Sequence, residues 1–187
     1  MKKSLGAKTF AIPSPVWVVG TYDSKGTPNV MTAAWGSICC STPPCLYVSL
    51  REATYTYHNI MQKKAYTVNI PSVKHVEESD YIGIASGRDT DKFNDTKLTP
   101  LRSTVVDAPY VDEFPMFIEC TLKSTVNLGL HTVFFGEILD VKVDEEYLTD
   151  NRPDLSKIDP ILFSAGDRHY YSSGEKLVKA FQQRTPP

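Results

Sequence analysis

The stretch PNVMTAAWGSICCSTPPCLYVSLREATYTY, residues 28–57, decides how the rest of the chain is read. Its first half is small and apolar, with Trp35 set among alanines and a glycine. Cys39, Cys40 and Cys45 crowd its middle, and its end is a row of hydroxyls around one cation: Ser49, Arg51, Thr54 and Thr56. β-Branched and aromatic residues bounded by proline and glycine mark strands. A strand built only for a core has no need of the hydroxyl row. The pattern asks for a ligand that is flat and apolar at one end and anionic at the other.

Working outward, PVWVVGTYD (15–23) alternates as a strand, SKGTPN turns, and VMTAAWGSI (30–38) resumes as a strand, which predicts a hairpin. CLYVSL (45–50) is a third strand, entered through the non-helical TPP. TYTYHNIMQKK (54–64) predicts a helix with Tyr57, Ile60 and Met61 on one face and its basic residues at the C-terminal end, where they suit the helix dipole. AYTVNIPS (65–72) is a strand that stops at proline, and residues 72–86 read as a short helix capped by Ser72. Residues 87–115 are polar and broken by prolines. They predict a long excursion on the surface or toward a partner subunit, of the kind that often carries function. Two long strands follow, joined at Leu128–Gly129–Leu130, and residues 159–184 predict a short strand, a polar turn and a terminal helix. Strands dominate, so the fold class is mainly β with short helices: one domain over 1–187, an antiparallel closed barrel with helical decoration.

The bulk balance excludes several functions. With a net charge of −2 and a pI near 6.1, nothing asks for nucleic acid or an anionic membrane. No run is long and apolar enough to span a bilayer, and MKKSLGAKTF lacks the apolar centre of a signal peptide, so the expected compartment is cytoplasmic. CCSTPPC has neither the spacing nor a partner cluster for zinc or iron–sulfur ligation, so no metal is expected. The cysteines read as small buried apolar residues, with a redox-active thiol as the alternative.

Four segments in order, residues 14–50, YTVNIPS (66–72), SGRDTDKF (86–93) and HTVFFGEI (131–138), resemble the flavin-reductase-like family of FMN-binding split barrels, and most closely the flavoredoxins. The resemblance covers nearly the whole chain. It implies a Greek-key-like, antiparallel split β-barrel, homodimeric, with one non-covalent FMN per subunit near the dimer interface.

The chemistry of the opening stretch suits that cofactor. A phosphate needs cations and hydroxyl donors. The edge of the ring needs hydrogen-bond partners, and its dimethylbenzene end needs apolar cover. Asn29 offers an amide; Met31, Thr32 and Ala33 offer backbone groups and close approach; Trp35 offers a flat face. Ser49, Arg51, Thr54 and Thr56 form a donor row at a helix start, where an anion is favoured. Each residue has a plainer role as well. Asn29 can cap the hairpin, Trp35 can be a core indole, Thr54 and Thr56 can be helix caps, and Arg51 can be a surface cation.

By resemblance, Lys92 is a positive charge on the cofactor rather than a solvated loop lysine, with Arg88 a weaker candidate for the same place. His131 faces the flavin, where an imidazole can carry the proton that compensates a reduced ring. Phe163 covers the ring as an aromatic lid. No glycine-rich pyridine-nucleotide fingerprint is present. The expected function is therefore an FMN electron-transfer flavoprotein serving redox protein partners or a small-molecule donor. An NAD(P)H-dependent flavin reductase or ferric reductase is the alternative, and a cofactor-free binding protein on the same scaffold is a third reading.

Overall fold

The computed structural model describes residues 1–181. After a two-residue strand β1 (Ser14–Pro15), β2 (Trp17–Tyr22) and β3 (Pro28–Ala33) form the expected hairpin, in register from Trp17 opposite Ala33 to Tyr22 opposite Pro28. Its turn is organised by Asp23, whose Oδ1 accepts from the backbone N–H groups of Lys25 and Thr27 at 2.8 Å each. The strand predicted over residues 30–38 is in fact two. The chain leaves β3 at Ala34–Trp35 and resumes as β4 (Gly36–Ser41), which pairs with β5 (Pro44–Leu50). The break has a steric cause: a Cβ at Gly36 would lie 2.6 Å from the Trp17 ring and 2.9 Å from the Tyr47 carbonyl, so β4 passes directly against β2 and β5.

Helix α1 (Tyr55–Lys63), β6 (Ala65–Ile70), α2 (Val76–Ile84), α3 (Lys92–Thr96) and a small hairpin of β7 (Pro100–Arg102) and β8 (Pro109–Val111) lead to two long strands, β9 (Met116–Asn127) and β10 (Thr132–Val143). The chain then makes β11 (Leu148–Thr149), β12 (Arg152–Pro153), α4 (Leu155–Ile158), β13 (Leu162–Ser164) and β14 (His169–Tyr171).

The main sheet runs β3-β2-β6-β9-β10-β5-β4. Its two edge strands, β3 and β4, are consecutive in the chain and only two residues apart. The sheet must therefore roll until its edges meet, and the Ser49 N–H donating to the Trp35 carbonyl at 2.8 Å stitches the seam. The register also shows where the barrel splits. β9 pairs with β6 only from Met116 to Thr121, whereas β10 pairs with β5 only from Thr132 to Glu137. The β9–β10 hairpin thus serves one half-barrel with its lower part and the other with its upper part.

The barrel interior holds Tyr66, Leu46, Val48, Leu50, Val68 and Phe134. A second cluster lies outside it, with Val18 and Val30 of the barrel wall packed against Ile82, Phe93, Leu98, Val111 and Phe114. Here the structure corrects the reading of residues 87–115. The segment is not a polar loop lying on the surface; it folds α3 and the β7–β8 hairpin and closes this second core, because Phe93, Leu98, Val111 and Phe114 punctuate it.

Other expectations change in detail. Ser72 precedes a single 3-10 turn, Val73–His75, and makes no capping hydrogen bond; it is buried and bridges Pro160. On α1, Ile60 is buried and Tyr57 packs edge-on to Phe134 at 5.0 Å, but Met61 is exposed, and Thr56 and Asn59 take the buried positions instead. Among the described residues no terminal helix is formed: residues 172–181 carry neither helix nor strand, and the rest of the predicted element lies outside the described residues. Cys45 and Cys120 are buried as expected, but Cys39 and Cys40 are exposed, because β4 is an edge strand with five of its six residues in solvent. The Leu128–Gly129–Leu130 turn is as read, with Gly129 at φ 99°.

The barrel centre holds one polar anomaly. The Tyr66 hydroxyl is buried without a partner, pressed against Gly136, where a Cβ would lie 2.1 Å from it and 3.2 Å from the Cβ of Cys120. Gly136→Ala should therefore destabilise the fold by about 1–3 kcal/mol through overpacking. Tyr66→Phe should recover part of that loss. Urea midpoints of the two single variants and the double variant check the coupling, and strict additivity would contradict the contact.

Candidate functional site

Two adjoining pockets open along β3 and share Gly83 and Ile84 at the end of α2. The smaller, about 170 Å³, lies between the start of α1 and the loop after α2. Its walls include Met31, Thr54, Tyr55, Thr56, Ser86 and Lys92. The larger, about 520 Å³, is apolar and aromatic, with Trp35, Phe163, Tyr170, Val16, Thr32 and Ile84 among its walls.

The small pocket is built for close approach. Asn29 is buried, and its amide donates to the Thr56 hydroxyl at 2.9 Å, tying β3 to α1. A Cβ on Gly87 would lie 2.0 Å from the Asn29 side-chain oxygen Oδ1 and 3.0 Å from the Tyr55 ring, so only glycine brings this loop in. Thr54 sits at the N-cap of α1, but its hydroxyl donates back to the Arg51 carbonyl at 2.8 Å and makes no capping bond. Arg88 closes the rim, donating to the Ala53 carbonyl at 2.6 Å with its guanidinium 5.8 Å from the Tyr55 ring centre.

Lys92 is the unusual group. It is only 4% exposed, and its ammonium donates to the carbonyls of Val30 and Ile82, each at 2.8 Å. An ammonium has three N–H donors. Two are spent clamping α2 and β3 together, which leaves one for the pocket that Lys92 lines. Burial lowers its pKa to about 8; the two carbonyls favour the protonated form and oppose the shift. The result is a preformed cationic wall beside a helix start and a hydroxyl row.

The large pocket places Trp35 at the barrel seam. Phe163, on β13, lies 5.7 Å from the Tyr170 ring, whose hydroxyl donates to Asp80 at 2.7 Å. Thr32 donates to the Ser79 carbonyl at 2.5 Å, fixing α2 against β3, and Gly83 allows the same contact, since a Cβ there would meet the Thr32 side chain at 3.3 Å. A third cavity, about 450 Å³, lies at Tyr110, Phe117 and Lys142. It shares no wall with these two, and its rim mixes charges of both signs rather than pairing a cation with hydroxyls.

A family model described as flavin reductase like domain matches residues 9–172. The chain belongs to the flavin-reductase-like family. It is similar to the solved flavoredoxin of Desulfovibrio vulgaris (Miyazaki F), at 54% identity and TM-score 0.93, covering 97% of this chain and 98% of that one. It is also similar to the flavoredoxin of Methanosarcina acetivorans, at 29% identity and TM-score 0.91, covering 97% and 96%. A curated relative from Archaeoglobus fulgidus is 31% identical over 150 residues, 80% of this chain and 84% of its own length.

Within this member of the flavin-reductase-like family, the expected residues fall into three groups. Met31, Thr32, Trp35, Thr54, Thr56, Lys92 and Phe163 line the two pockets. Asn29 and Ala33 support them from behind, Asn29 through Thr56 and Ala33 from the barrel core. Ser49, Arg51 and His131 line neither. Ser49 faces Val133 in the ladder, and Arg51 and His131 each lie one residue beyond the last β5–β10 pair, Leu50 opposite Thr132. No site role is expected from the sequence for residues 83–87, although SGRDTDKF includes Ser86 and Gly87; the run of small residues in IGIASG is the available signal, and its first five residues read as the end of a helix.

The Lys92 shift makes a stability prediction. Its folded pKa, about 8, lies below the unfolded value of 10.5, so the unfolded state holds more protons between those values. Stability therefore rises with pH through that window, and below pH 8 the burial penalty, at most about 3 kcal/mol, is fully present. The difference in urea midpoint between the ligand-free protein and Lys92→Met, followed from pH 7.5 to 10.5, should shift in favour of the wild type. A constant difference would mean that Lys92 titrates normally.

Proposed function

We propose that this protein is an FMN-binding electron-transfer flavoprotein of the flavoredoxin type, exchanging electrons with protein or small-molecule redox partners. The observation that carries the reading is the junction of the two pockets: a hydroxyl-lined cationic end opens directly into an aromatic end, along one strand. Thr54, Thr56, Ser86 and Lys92 would hold the phosphate beside the N-terminus of α1, a helix of nine residues. Trp35, Phe163 and Thr32 would cover and edge the ring. The bound flavin supplies a ring that accepts and returns one or two electrons. The chain's own part is to bind it, orient it and limit water around it. A phosphate dianion beside Lys92 favours the protonated ammonium, so binding takes up a proton near pH 8–9.

The same reading makes the chain one domain over residues 1–187, places it in the cytoplasm and makes it a homodimer. Support for a second copy comes from the tip of the β9–β10 hairpin, which exposes Val126, Leu128 and Leu130 at 45%, 70% and 66%. Ser49, Arg51 and His131 gather at that end of the barrel. A partner seated there would bring them toward its own flavin or receive its pocket loop. Among the described residues no helix is long and apolar enough to cross a membrane.

Purified protein should be yellow and should release FMN on denaturation; a colourless protein that does not take up FMN would overturn the cofactor. Dithionite should bleach it, whereas steady turnover of NADH would favour the flavin-reductase reading. Lys92→Met should weaken FMN binding roughly ten- to a hundredfold through loss of a charge-assisted hydrogen bond, while Lys25→Ala, on the exposed β2–β3 turn, should not. Flavin fluorescence titrations measure both, and equal affinities would remove Lys92 from the site. Sedimentation of the yellow protein should give a dimer, and a stable monomer that retains FMN would refute the assembly.

A further inference from the structure

The β4–β5 hairpin carries a group of thiols that the flavin site does not use. Cys40 and Cys45 are direct partners in the antiparallel ladder, and the register slips between Ile38 and Cys40, so Cys39 is the extra residue of a β-bulge. At a bulge the extra residue is left out of the ladder; here the register pairs Cys40 with Cys45 and gives Cys39 no partner. Opposed residues in such a ladder have Cα atoms about 4.5–5.5 Å apart, inside the window of roughly 4.4–6.8 Å that a disulfide requires.

The two partners differ in access. Cys40 is exposed on the edge strand, its thiol donating weakly to the Thr42 carbonyl at 3.4 Å, whereas Cys45 is only 5% exposed. Cys39 is exposed but poorly disposed to react first: partial desolvation, then the neighbouring Cys45 and Cys40 thiols, hold its pKa above the ordinary value. Lys123, on β9, lies close enough to Cys45 and Cys40 for their charges to interact, and its ammonium is held at 2.7 Å from Glu137, the residue opposite Cys45. Among the described residues no group of three His, Cys, Asp or Glu side chains is placed to hold a metal ion.

We propose that Cys40 and Cys45 form a thiol–disulfide exchange site that reacts with small-molecule disulfides. The Cys40 thiolate attacks one sulfur of the incoming disulfide. A mixed disulfide forms at Cys40 and one thiolate leaves. The Cys45 thiolate then attacks the Cys40 sulfur, closing the cross-strand bond and releasing the second thiol. Two protein thiols are oxidised, one external disulfide is reduced to two thiols, and two protons pass to the leaving groups or solvent. An accessible thiol backed by a shielded one suits this order, because the mixed disulfide is resolved internally before a second molecule can react.

The test uses the FMN-loaded protein, or the protein as purified if it holds no flavin, incubated with excess oxidised glutathione and analysed by peptide mapping. Wild type should lose two titratable thiols and yield a Cys40–Cys45 cross-linked peptide without a stable glutathione adduct. Cys45→Ser should trap the adduct on Cys40, Cys40→Ser should lose the reaction, and Cys39→Ser should keep it. The wild-type map needs no variant to fold. Retention of all thiols, a lasting adduct on wild-type Cys40, or a cross-link to Cys39 or Cys120 would each overturn the assignment. Because flavin content is read separately by absorbance, failure here is distinct from failure of the cofactor reading.

Discussion

Everything in this molecule depends on the two residues that join β3 to β4. Ala34 and Trp35 connect strands at opposite edges of a seven-stranded sheet, so hydrogen bonding along the sheet and the length of the chain cannot both be satisfied unless the sheet rolls up. Closure brings the end of β5 to the seam, through Ser49 and Trp35. It thereby sets the start of α1 beside β3 and puts an indole at the mouth of the large pocket. The part of the site on β3, the seam and the start of α1 is thus a by-product of how the sheet is closed, while residues 83–92 and Phe163 join it from distant parts of the chain.

Lys92 is the second organising element. Its two carbonyl partners belong to different elements, Val30 on β3 and Ile82 on α2. One buried cation therefore fixes the spacing of the pocket walls and also faces the space between them. Burying a charge without an anion is costly, and the lowered pKa records that cost. The protein holds a poorly compensated cation where the ligand's anionic end would go, which exchanges stability in the empty state for affinity in the loaded one.

Much of this was legible in the sequence, for physical reasons. The β-branched and aromatic run WVVGTY, the alternation in CLYVSL and the tight turn at Gly129 marked strands whose packing is local and strong. Trp35, Thr54 and Thr56 stood out because their chemistry has little use in a bare core, and they line the pockets, whereas Ser49 and Arg51 stood out with them and line neither. What escaped depended on distant contacts. The bend at Ala34–Trp35 follows from Trp17 lying over Gly36, which no local pattern records. The segment 87–115 looked polar because its four anchoring apolar residues are widely spaced and pack onto the outer face of β2–β3. The exposure of Cys39 and Cys40 follows from β4 being an edge strand, which is a matter of topology and not of composition.

That shared wall has one more effect. β3 gives Ala33 to the barrel core, Val30 to the outer core, and Met31 and Thr32 to the pockets. Each of its residues from Val30 to Ala33 therefore has a neighbour to satisfy. β4 beyond Gly36 meets solvent, so a substitution there, at the exposed thiols included, touches neither core cluster and neither pocket wall.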